Sequence, residues 1–333
     1  MKNFERVVIA GAGAFGTALA VVADKAGRSV TLFARDAERA KAIRTTRENA
    51  HYLPGVTLPA SIRVTADPED LRDADLVLLA APAQATRALA TMLAESIPAG
   101  IPVVATAKGI EQTSREMQTE IIAEILPGAR PAALSGPGFA EEIARGLPTA
   151  VTIAAEDLEL AHQLSAALAT DTFRPYASDD LVGVELGGAI KNVLAIASGI
   201  VAGRLLGESA RAALIARGLA EMMRLGAALG ARADTFMGLS GLGDLVLTAT
   251  SRHSRNLAFG MALGEGRSAA ELLAAGMPLA EGAHTAVVAA ELARRHGVEM
   301  PITAAVAAII AGRVGVEAAI EGLVSRPLKA ENT

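Results

Sequence analysis

A lysine inside an apolar helical segment is the first candidate for chemistry in this sequence. Lys191 stands beside Asn192 in LGGAIKNVLAIASGIVAG, whose other residues are small or apolar. Burial disfavours an ammonium group and lowers a lysine pKa, which suits a proton donor or acceptor working near neutral pH. From the pattern alone a second interpretation stays open, in which the lysine runs along a helix edge and keeps its charge in water.

Polar or flexible residues also follow two predicted strands, at the sheet edge where ligands of open α/β proteins bind. Lys108 lies in ATAKGI, and the adjacent Gly109 predicts a loop that a ligand can approach closely. The segment SGPGFAEE ends another strand, and its Gly136 and Gly138 would leave backbone N–H groups uncovered. We therefore expect both segment ends to face a ligand.

Two later segments add a carboxylate and a cationic group. Asp244 follows three glycines in MGLSGLGDLVLT, which predicts a positioned loop. In SRHSRNLAFG, Arg252, Arg255 and Asn256 stand near a predicted helix start. An arginine there can form a forked site for a phosphate or carboxylate. An ordinary basic helix cap explains the same pattern.

The segment RVVIAGAGAFGTALA predicts a nucleotide site. Gly11, Gly13 and Gly16 form G-x-G-x-x-G directly after a strand and at the start of a helix. The first glycine permits a tight turn, the second lets a pyrophosphate approach the backbone, and the third lets the helix pack on the strand. Free N–H groups at the helix start favour phosphates. We predict a bound dinucleotide; a purely steric turn or a methyltransferase-type site are the alternatives.

The end of the second strand bears on which dinucleotide is bound. An acidic residue there holds the ribose hydroxyls of NAD, whereas an arginine accommodates the 2′-phosphate of NADP. The chain has both, as Arg35 and Asp36. Because Asp36 can be used as the cap of the following helix, we predict NADP, with NAD also possible.

Strands alternate with helical segments in the first half of the chain. β-branched runs occur at 6–10, 29–34, 75–81, 101–107, 131–136 and 149–154. This alternation predicts βαβ units and a mainly parallel sheet. After about residue 178, apolar segments with a period near 3.6 predict helices at 180–203, 208–229, 254–264, 268–275, 280–296 and 302–323. We predict a Rossmann-type α/β domain over 1–180 and an all-helical substrate and catalytic domain over 181–333.

Composition argues against several classes of partner. The 333 residues carry a net charge of -5 with only 3% aromatic residues, and there is no run of Lys or Arg. We therefore expect neither a nucleic-acid groove nor a membrane surface as partner. The absence of cysteine removes disulfides and thiolate sites and suits a cytoplasmic protein. The N-terminus lacks a signal-peptide pattern.

Metal chemistry is not predicted either. The five histidines form no pair with the spacing of metal ligands, and no carboxylate cluster has such spacing. Each histidine is more typical of a surface or helix-end residue than of a catalytic base.

Seven short motifs resemble one enzyme family in their order and spacing. GAGAFG, TAKG, SGPGFA, LGGAIKN, GLGDLVLT, SRN and AEG follow one another, and the likeness runs from about residue 5 to about residue 325. The chain resembles the NAD(P)-dependent glycerol-3-phosphate dehydrogenases, especially the bacterial type. The resemblance implies an oxidoreductase that interconverts sn-glycerol 3-phosphate and dihydroxyacetone phosphate for phospholipid synthesis.

The resemblance also implies roles for individual residues. Lys191 would accept or donate the proton, Lys108 would contact the substrate oxygen, and the supporting network would be Asp244, Asn192 and Thr248. Substrate-binding positions would be Lys108, Gly136, Gly138, Lys191, Asp244, Ser254, Arg255 and Asn256, the last two on the phosphate. Cofactor-binding positions would be Gly11, Gly13, Ala14, Phe15, Gly16, Arg35, Lys108, Ala140, Arg255, Leu279 and Glu281.

Gly138 departs from the family pattern, which often has Ser or Thr there to contact the substrate, so a backbone group or a water would take over. A homodimer is expected from the apolar helical half. Two other functions are compatible with the nucleotide turn: an NADP-linked hydroxy-acid or ketopantoate-type dehydrogenase, and a non-catalytic NADP-binding redox sensor. The Gly243-Asp244 and Ser254-Arg255-Asn256 segments argue against the first, and intact Lys108, Lys191 and Asp244 argue against the second.

Overall fold

The computed structural model describes residues 4–274, 280–328 and 330. Its strands are β1 (Arg6–Ala10), β2 (Ser29–Phe33), β3 (Glu48–Asn49), β4 (Leu53–Thr57), β5 (Arg63–Thr65), β6 (Leu76–Leu79), β7 (Pro102–Ala105), β8 (Arg130–Ser135), β9 (Thr149–Ala155) and β10 (Phe173–Ser178). Its α-helices in the first half are α1 (Ala14–Lys25), α2 (Ala37–Thr46), α3 (Thr86–Leu93), α4 (Gln118–Ile125), α5 (Ala140–Ala144) and α6 (Leu158–Leu168).

Helices follow one another through the second half without a described strand between them. They are α7 (Leu181–Gly203), α8 (Glu208–Ala228), α9 (Ala233–Met237), α10 (Asp244–Thr250), α11 (Arg255–Gly264), α12 (Ala269–Ala274), α13 (Glu281–Arg295), α14 (Pro301–Ile310) and α15 (Val316–Val324). The predicted combination of an α/β half with a helical half is confirmed.

Eight strands form one sheet in the order β10-β9-β8-β7-β6-β1-β2-β5. β1 pairs in parallel with both β2 and β6, whereas β8 and β9 are antiparallel, so β9 and β10 run opposite to the other six strands. The chain leaves β1 for β2 on one side and later returns to β6 on the other. The strand order therefore reverses at the carboxyl end of β1, which is where open α/β sheets bind ligands.

Side chains of β1 point alternately to the two covered faces of the sheet. Val7 and Ile9 pack with Leu19 of α1 in one buried cluster, and Val8 packs with Leu89 of α3 in another. Because both faces are buried, the central strands consist of nearly continuous apolar residues. This is why the sequence pattern located them.

The predicted set of strands was incomplete at the edges of the sheet. In β10 the residues Phe173 and Pro175 are buried, while Arg174 and Tyr176 are exposed. Such an edge strand needs no β-branched run, so the sequence pattern did not predict it. The three-residue β5 and the short hairpin of β3 with β4 were not predicted either.

Helix α7 is the central helix of the helical half. By length and composition it could cross a membrane, but 89% of its most apolar window is buried inside the protein. It packs against α8, α10, α11 and α13. The apolar stripe predicted on this helix is therefore the core around which the other helices pack.

The crossing of α7 and α11 depends on glycines on both helices. A Cβ atom at Gly260 would collide with the carbonyl oxygen of Ile196 and would lie 3.0 Å from the Cα of Gly199. One turn further along, a Cβ at Gly264 would lie 3.1 Å from the Cα of Gly203. The two backbones are therefore in direct contact, which sets the separation of the residues that each helix carries.

The predicted helix over 302–323 was wrong. α14 ends at Ile310 and α15 begins at Val316, with Gly312 between them at φ +65°. Such a left-handed residue ends a helix, and glycine adopts it without strain. Apolar residues on both sides of the break continue the same spacing, which hid the break in the sequence.

Hydrogen bonds join the two halves of the chain at several buried points. The Glu185 carboxylate on α7 accepts from the backbone N–H and hydroxyl of Thr119 at the start of α4. The Glu281 carboxylate at the start of α13 accepts from the Ala83 N–H at 3.1 Å. The relative position of the two halves is thus held by polar contacts as well as by apolar packing.

We expect Gly260→Ala to destabilise the protein, because the added methyl group forces α7 and α11 apart. Overpacking of this kind costs about 1–3 kcal/mol of the free energy of unfolding. Gly322→Ala is the matched control, since nothing lies within 4 Å of its added Cβ in α15. Thermal and denaturant unfolding would measure both variants, and equal midpoints for Gly260→Ala and the wild type would contradict the crossing.

Candidate active site

A buried carboxylate lies between two ammonium groups. Asp244 begins α10 and is 1% exposed. Its Oδ1 accepts from Lys191 Nζ at 2.9 Å, and its Oδ2 accepts from Lys108 Nζ at 2.8 Å. Lys191 also donates to Thr248 Oγ1 at 2.7 Å, and Lys108 donates to the Gly136 carbonyl at 2.7 Å. An ammonium has three N–H groups. Each of the two lysines therefore keeps one N–H without an acceptor among the described residues.

Glycines allow these elements to come together. Positions 187 and 188 lie one helical turn before Lys191 on α7. A Cβ at Gly187 would lie 2.7 Å from the Ser240 carbonyl oxygen, and one at Gly188 would collide with the Ser135 hydroxyl. The π-helical turn Leu239–Gly243 and the end of β8 therefore both pack directly on α7.

Lys191 is a buried residue and not one that reaches for solvent. Only 6% of it is exposed. Burial lowers the pKa of Lys191 to about 8; the Asp244 carboxylate opposes this shift, and the Lys108 and Arg255 charges add to it. Burial alone would raise the pKa of Asp244, but the two lysine ammonium groups hold that pKa below its usual value. The geometry supports the first of the two interpretations of Lys191 and not the second.

A chain of amide hydrogen bonds connects the site to three helices. Asn192 Nδ2 donates to the Lys108 carbonyl at 2.9 Å. Asn256 Nδ2 donates to Asn192 Oδ1 at 2.9 Å, and Asn256 Oδ1 accepts from the Gly282 N–H at 3.0 Å. Asn256, expected on the substrate phosphate, therefore has one side-chain N–H left for that purpose.

Arg255 supplies a further cationic group next to this cluster. It is the first residue of α11 and is exposed, with no ion pair to any described residue. Its charge acts on both neighbours: it adds to the lowering of the Lys191 pKa by burial, and it opposes the rise that burial causes in the Glu281 pKa. Ser254 is buried and caps α11, since its Oγ accepts from the Leu257 N–H at 3.2 Å. The Ser254 hydroxyl thus has a structural use in addition to any contact with substrate.

The glycine turn lies beside Lys108. Gly11 has φ +123°, and a Cβ there would collide with the Ala80 carbonyl oxygen. Gly13 faces open space and starts α1 without any side-chain cap, so the first N–H groups of the helix are uncovered. Lys108 Nζ lies 5.9 Å from the ring centroid of Phe15 in the first turn of α1. The turn and the lysine cluster therefore form one continuous site.

The third glycine of the turn meets the steric requirement predicted for it. A Cβ at Gly16 would collide with the Gly11 carbonyl oxygen. Ala14 begins α1 directly after the turn. Ala140 begins α5, a short helix that packs on α1. These small residues allow a close approach to the backbone where a pyrophosphate is expected.

The two candidates for the ribose differ in how they are engaged. The Asp36 Oδ1 accepts from the Arg39 N–H at 2.9 Å and caps α2, as predicted. Arg35 is exposed and has no ion pair within the described ranges. Of the two side chains, Arg35 is the one that is free to meet a ligand.

Glu281 carries an unpaired buried atom. Its Oε1 accepts from Ala83, but its buried Oε2 and the nearby hydroxyl of Thr285 have no partner. Burial raises the pKa of Glu281. Leu279, also expected at the cofactor, lies outside the described residues. The unpaired oxygens, the uncapped start of α1 and the open space at Gly13 fit a nicotinamide dinucleotide.

The two glycines after β8 have different surroundings. Gly136 has φ +137°, and its carbonyl is held by Lys108. A Cβ at Gly138 would lie 2.9 Å from the Cδ1 of Ile143 and 3.2 Å from the Cγ2 of Thr149. A Ser or Thr at this position would require Ile143 to move, so glycine matches the packing here.

Asn49 was missed by the sequence analysis. It is buried in β3 and donates to the Ala12 carbonyl at 2.9 Å and to Thr17 Oγ1 at 2.8 Å. It thereby holds the β3–β4 hairpin against the glycine turn. No sequence signal distinguishes this asparagine from one in an ordinary polar loop, because its partners are more than thirty residues away in the chain.

Within the described part of the chain, no group of three or more His, Cys, Asp or Glu residues could hold a metal ion. What the site does contain is a buried, positively charged cluster with two uncommitted N–H groups. Such a cluster can stabilise an oxygen that gains negative charge and can exchange a proton with it.

Family models match both halves of the chain. The model described as the N-terminus of NAD-dependent glycerol-3-phosphate dehydrogenase matches residues 6–161, and the model of its C-terminus matches residues 180–321.

Curated relatives and a solved structure match nearly the full length. A protein named glycerol-3-phosphate dehydrogenase [NAD(P)+] from Parvibaculum lavamentivorans is 52% identical over 328 residues, which cover 98% of this chain and 98% of that protein. A protein of the same name from Bradyrhizobium sp. strain ORS 278 is 57% identical over 329 residues, which cover 99% of both chains. The crystal structure of glycerol-3-phosphate dehydrogenase from Coxiella burnetii matches with a TM-score of 0.91 at 37% identity, over 97% of this chain and 99% of that one.

We expect the Lys191 pKa to respond in opposite directions to two substitutions. Lys108→Met removes a neighbouring positive charge and raises the Lys191 pKa, whereas Asp244→Asn removes the stabilising carboxylate and lowers it. NMR titration of isotope-labelled lysine side chains would measure all three proteins, with a value of about 8 for the wild type. A wild-type value near the ordinary 10.5 would contradict the buried geometry.

Proposed function

The chain belongs to the NAD-dependent glycerol-3-phosphate dehydrogenase family, and we propose that the cluster of Lys191, Asp244 and Lys108 is its catalytic centre. The protein is an NAD(P)-dependent oxidoreductase that interconverts sn-glycerol 3-phosphate and dihydroxyacetone phosphate. The observation that carries the assignment of the centre is the shared carboxylate of Asp244, which binds both ammonium groups, and of these Lys108 lies beside Phe15 of the nucleotide turn.

Arg255 binds the phosphate end of the substrate in this proposal. Its guanidinium is exposed, unpaired among the described residues, and next to the lysine cluster. A guanidinium presents paired N–H groups that match phosphate oxygens. The remaining N–H of Asn256 adds a second donor, while Ser254 keeps α11 and therefore Arg255 in place.

Lys108 and Lys191 hold the carbonyl oxygen at the other end. Each offers the one N–H that Asp244, Thr248 or Gly136 does not use. Two cations and one carboxylate leave a net positive charge in a buried environment. This charge is aimed at the oxygen that becomes an alkoxide, and such preorganised charge is a large source of rate enhancement.

A nicotinamide dinucleotide held at the glycine turn would supply or take up the hydride at C2 of the substrate. Lys191 as an ammonium gives a proton to the substrate oxygen in the reducing direction, and as a neutral amine it takes the proton back in the oxidising direction. A pKa lowered by burial to about 8 makes both forms accessible near neutral pH. Asp244 and Thr248 keep the amine nitrogen oriented in both forms.

NADP is the proposed preferred cofactor, with NAD also used. Arg35 is free to meet a 2′-phosphate, while Asp36 is engaged in capping α2. The pyrophosphate and the nicotinamide end of the cofactor would be held by the glycine turn and the start of α1, namely Gly11, Gly13, Ala14, Phe15 and Gly16. Ala140, Lys108, Arg255 and Glu281 would complete the cofactor contacts.

Residues 1–180 would act as the dinucleotide-binding domain and residues 181–333 as the substrate and catalytic domain. We also propose a cytoplasmic homodimer whose sn-glycerol 3-phosphate product enters glycerophospholipid synthesis. The apolar helical half and the absence of cysteine support these assignments. The full-length matches to glycerol-3-phosphate dehydrogenases support this function over a ketopantoate-type dehydrogenase or a redox sensor.

An assay of nicotinamide absorbance with dihydroxyacetone phosphate and NADPH or NADH tests this function. We expect turnover by the wild type and a loss of kcat by about 10²–10⁴ in Lys191→Ala, the usual contribution of a positioned acid or base. The matched control is Lys41→Ala, which removes an exposed lysine of α2. Unchanged turnover in a folded Lys191→Ala protein would overturn the assignment of the proton donor.

Arg255→Ala should raise the KM for dihydroxyacetone phosphate about tenfold to a hundredfold, as expected for a lost hydrogen bond to a charged group. At saturating NADPH, which removes any effect on cofactor binding, turnover of unphosphorylated dihydroxyacetone should change little, because that substrate lacks the phosphate. Arg252→Ala serves as the control, since Arg252 is exposed three residues earlier. Equal effects on both substrates would show that Arg255 does not bind the phosphate.

A further inference from the structure

A second arginine lies close to Arg35 at the end of β2. Arg39 is in the first turn of α2, and its backbone N–H is bonded to Asp36 Oδ1 at 2.9 Å. The strand that leads to it contacts the glycine turn directly, because the Gly11 N–H donates to the Phe33 carbonyl at 3.0 Å. Arg39 thus belongs to the same edge of the sheet as the nucleotide turn.

Tyr52 holds the Arg39 side chain in place. The guanidinium carbon lies 4.9 Å from the centroid of the Tyr52 ring, and Nη1 donates to the Tyr52 hydroxyl at 3.3 Å. Tyr52 lies in the turn between β3 and β4. That hairpin is fixed against the glycine turn by the two hydrogen bonds of Asn49 to Ala12 and Thr17. The stack therefore has a defined position relative to the turn.

The charge of Arg39 is not neutralised by an ion pair. No carboxylate of the described chain lies within ion-pair distance of its guanidinium. Asp36, the cap of the same helix, has its pKa lowered first by the Arg39 backbone N–H and then by the Arg39 and Arg35 charges. Its Oδ1 is engaged in that cap. Glu38 in the same turn is exposed and forms no ion pair with either arginine among the described residues, so both guanidinium groups keep their charge for a ligand.

We propose that Arg39, oriented by Tyr52, acts with Arg35 to select a dinucleotide that carries a 2′-phosphate. This inference rests on the proposed function, since it concerns the adenosine end of the same cofactor. A phosphate monoester carries close to two negative charges at neutral pH and is bound well by two guanidinium groups. An adenosine ribose with a free 2′-hydroxyl gains little from either arginine. Tyr52 is a positioning residue in this arrangement.

Isothermal titration calorimetry with two adenosine probes tests the proposal without substrate turnover. Adenosine 2′,5′-bisphosphate carries the 2′-phosphate, and ADP lacks it. We expect Arg39→Ala to weaken binding of the bisphosphate by about tenfold or more, and to change ADP binding by less than about twofold. Lys41→Ala removes the same charge from an exposed position two residues further along α2 and should change neither probe.

Tyr52→Ala should weaken binding of the bisphosphate by a smaller factor than Arg39→Ala. In an Arg39→Ala background it should no longer alter the ratio of the two affinities, because it acts through Arg39. A Tyr52→Ala effect on that ratio that persists without Arg39 would overturn the positioning role.

Equal weakening of both probes by Arg39→Ala, or no weakening of either, would overturn the proposal. So would a Lys41→Ala protein that loses as much affinity as Arg39→Ala, because the effect would then be one of net charge. The unfolding midpoint of each variant shows whether the fold is intact. Failure of the proposed function is a separate result: the wild type would bind the bisphosphate but would not reduce dihydroxyacetone phosphate with either cofactor.

Discussion

The ionised carboxylate of Asp244 is buried, and its two lysine partners are what make that burial tolerable. A charge removed from water costs several kcal/mol unless it is paired and hydrogen-bonded, and removing one partner of such a pair destabilises the folded state strongly. Here both oxygens are engaged by ammonium groups, and Thr248 donates to Oδ1 at 3.2 Å. The cluster thus demands that three separate elements meet within hydrogen-bond distance. Most other features of the structure serve that requirement.

Glycines, which have no side chain, let the backbone elements approach closely enough to place the three charged groups. Gly187 and Gly188 let the loop before Asp244 and the end of β8 pack on α7, and the glycines of the α7–α11 crossing set the height of Arg255 relative to Lys191. Backbone contacts of this kind leave little room for adjustment, because proteins are packed to the density of organic crystals. The amide chain from Lys108 through Asn192 to Asn256 then joins the same helices by directional bonds. Steric contact and hydrogen bonding impose the same geometry.

Sequence patterns located the parts of the protein whose requirements are local. The glycine turn after β1 and the apolar central strands follow from residue spacing alone, and Lys191 was conspicuous because nothing around it is charged. Features that depend on distant partners were not accessible. The exposed side chains of β10 resemble a loop, the break at Gly312 lies inside continuous apolar spacing, and the partners of Asn49 and Asn256 are far away in the chain. The residue pattern indicated Arg255 and the family resemblance added Glu281, whereas only the three-dimensional arrangement revealed that Asn256 is largely engaged.

The ion pair between Lys108 and Asp244 spans 136 positions of the chain, which has a consequence for how the protein is made. During synthesis at about 5–20 residues per second, Lys108 leaves the ribosome on the order of ten seconds before Asp244 exists. The sheet-forming half can assemble during this interval with an exposed lysine at its edge, since an exposed ammonium is stable in water. The reverse order would leave Asp244 and Lys191 to be buried without their third partner. The order of the two halves along the chain therefore places first the lysine that tolerates water, and the ion pair can form only after Asp244 has been synthesised.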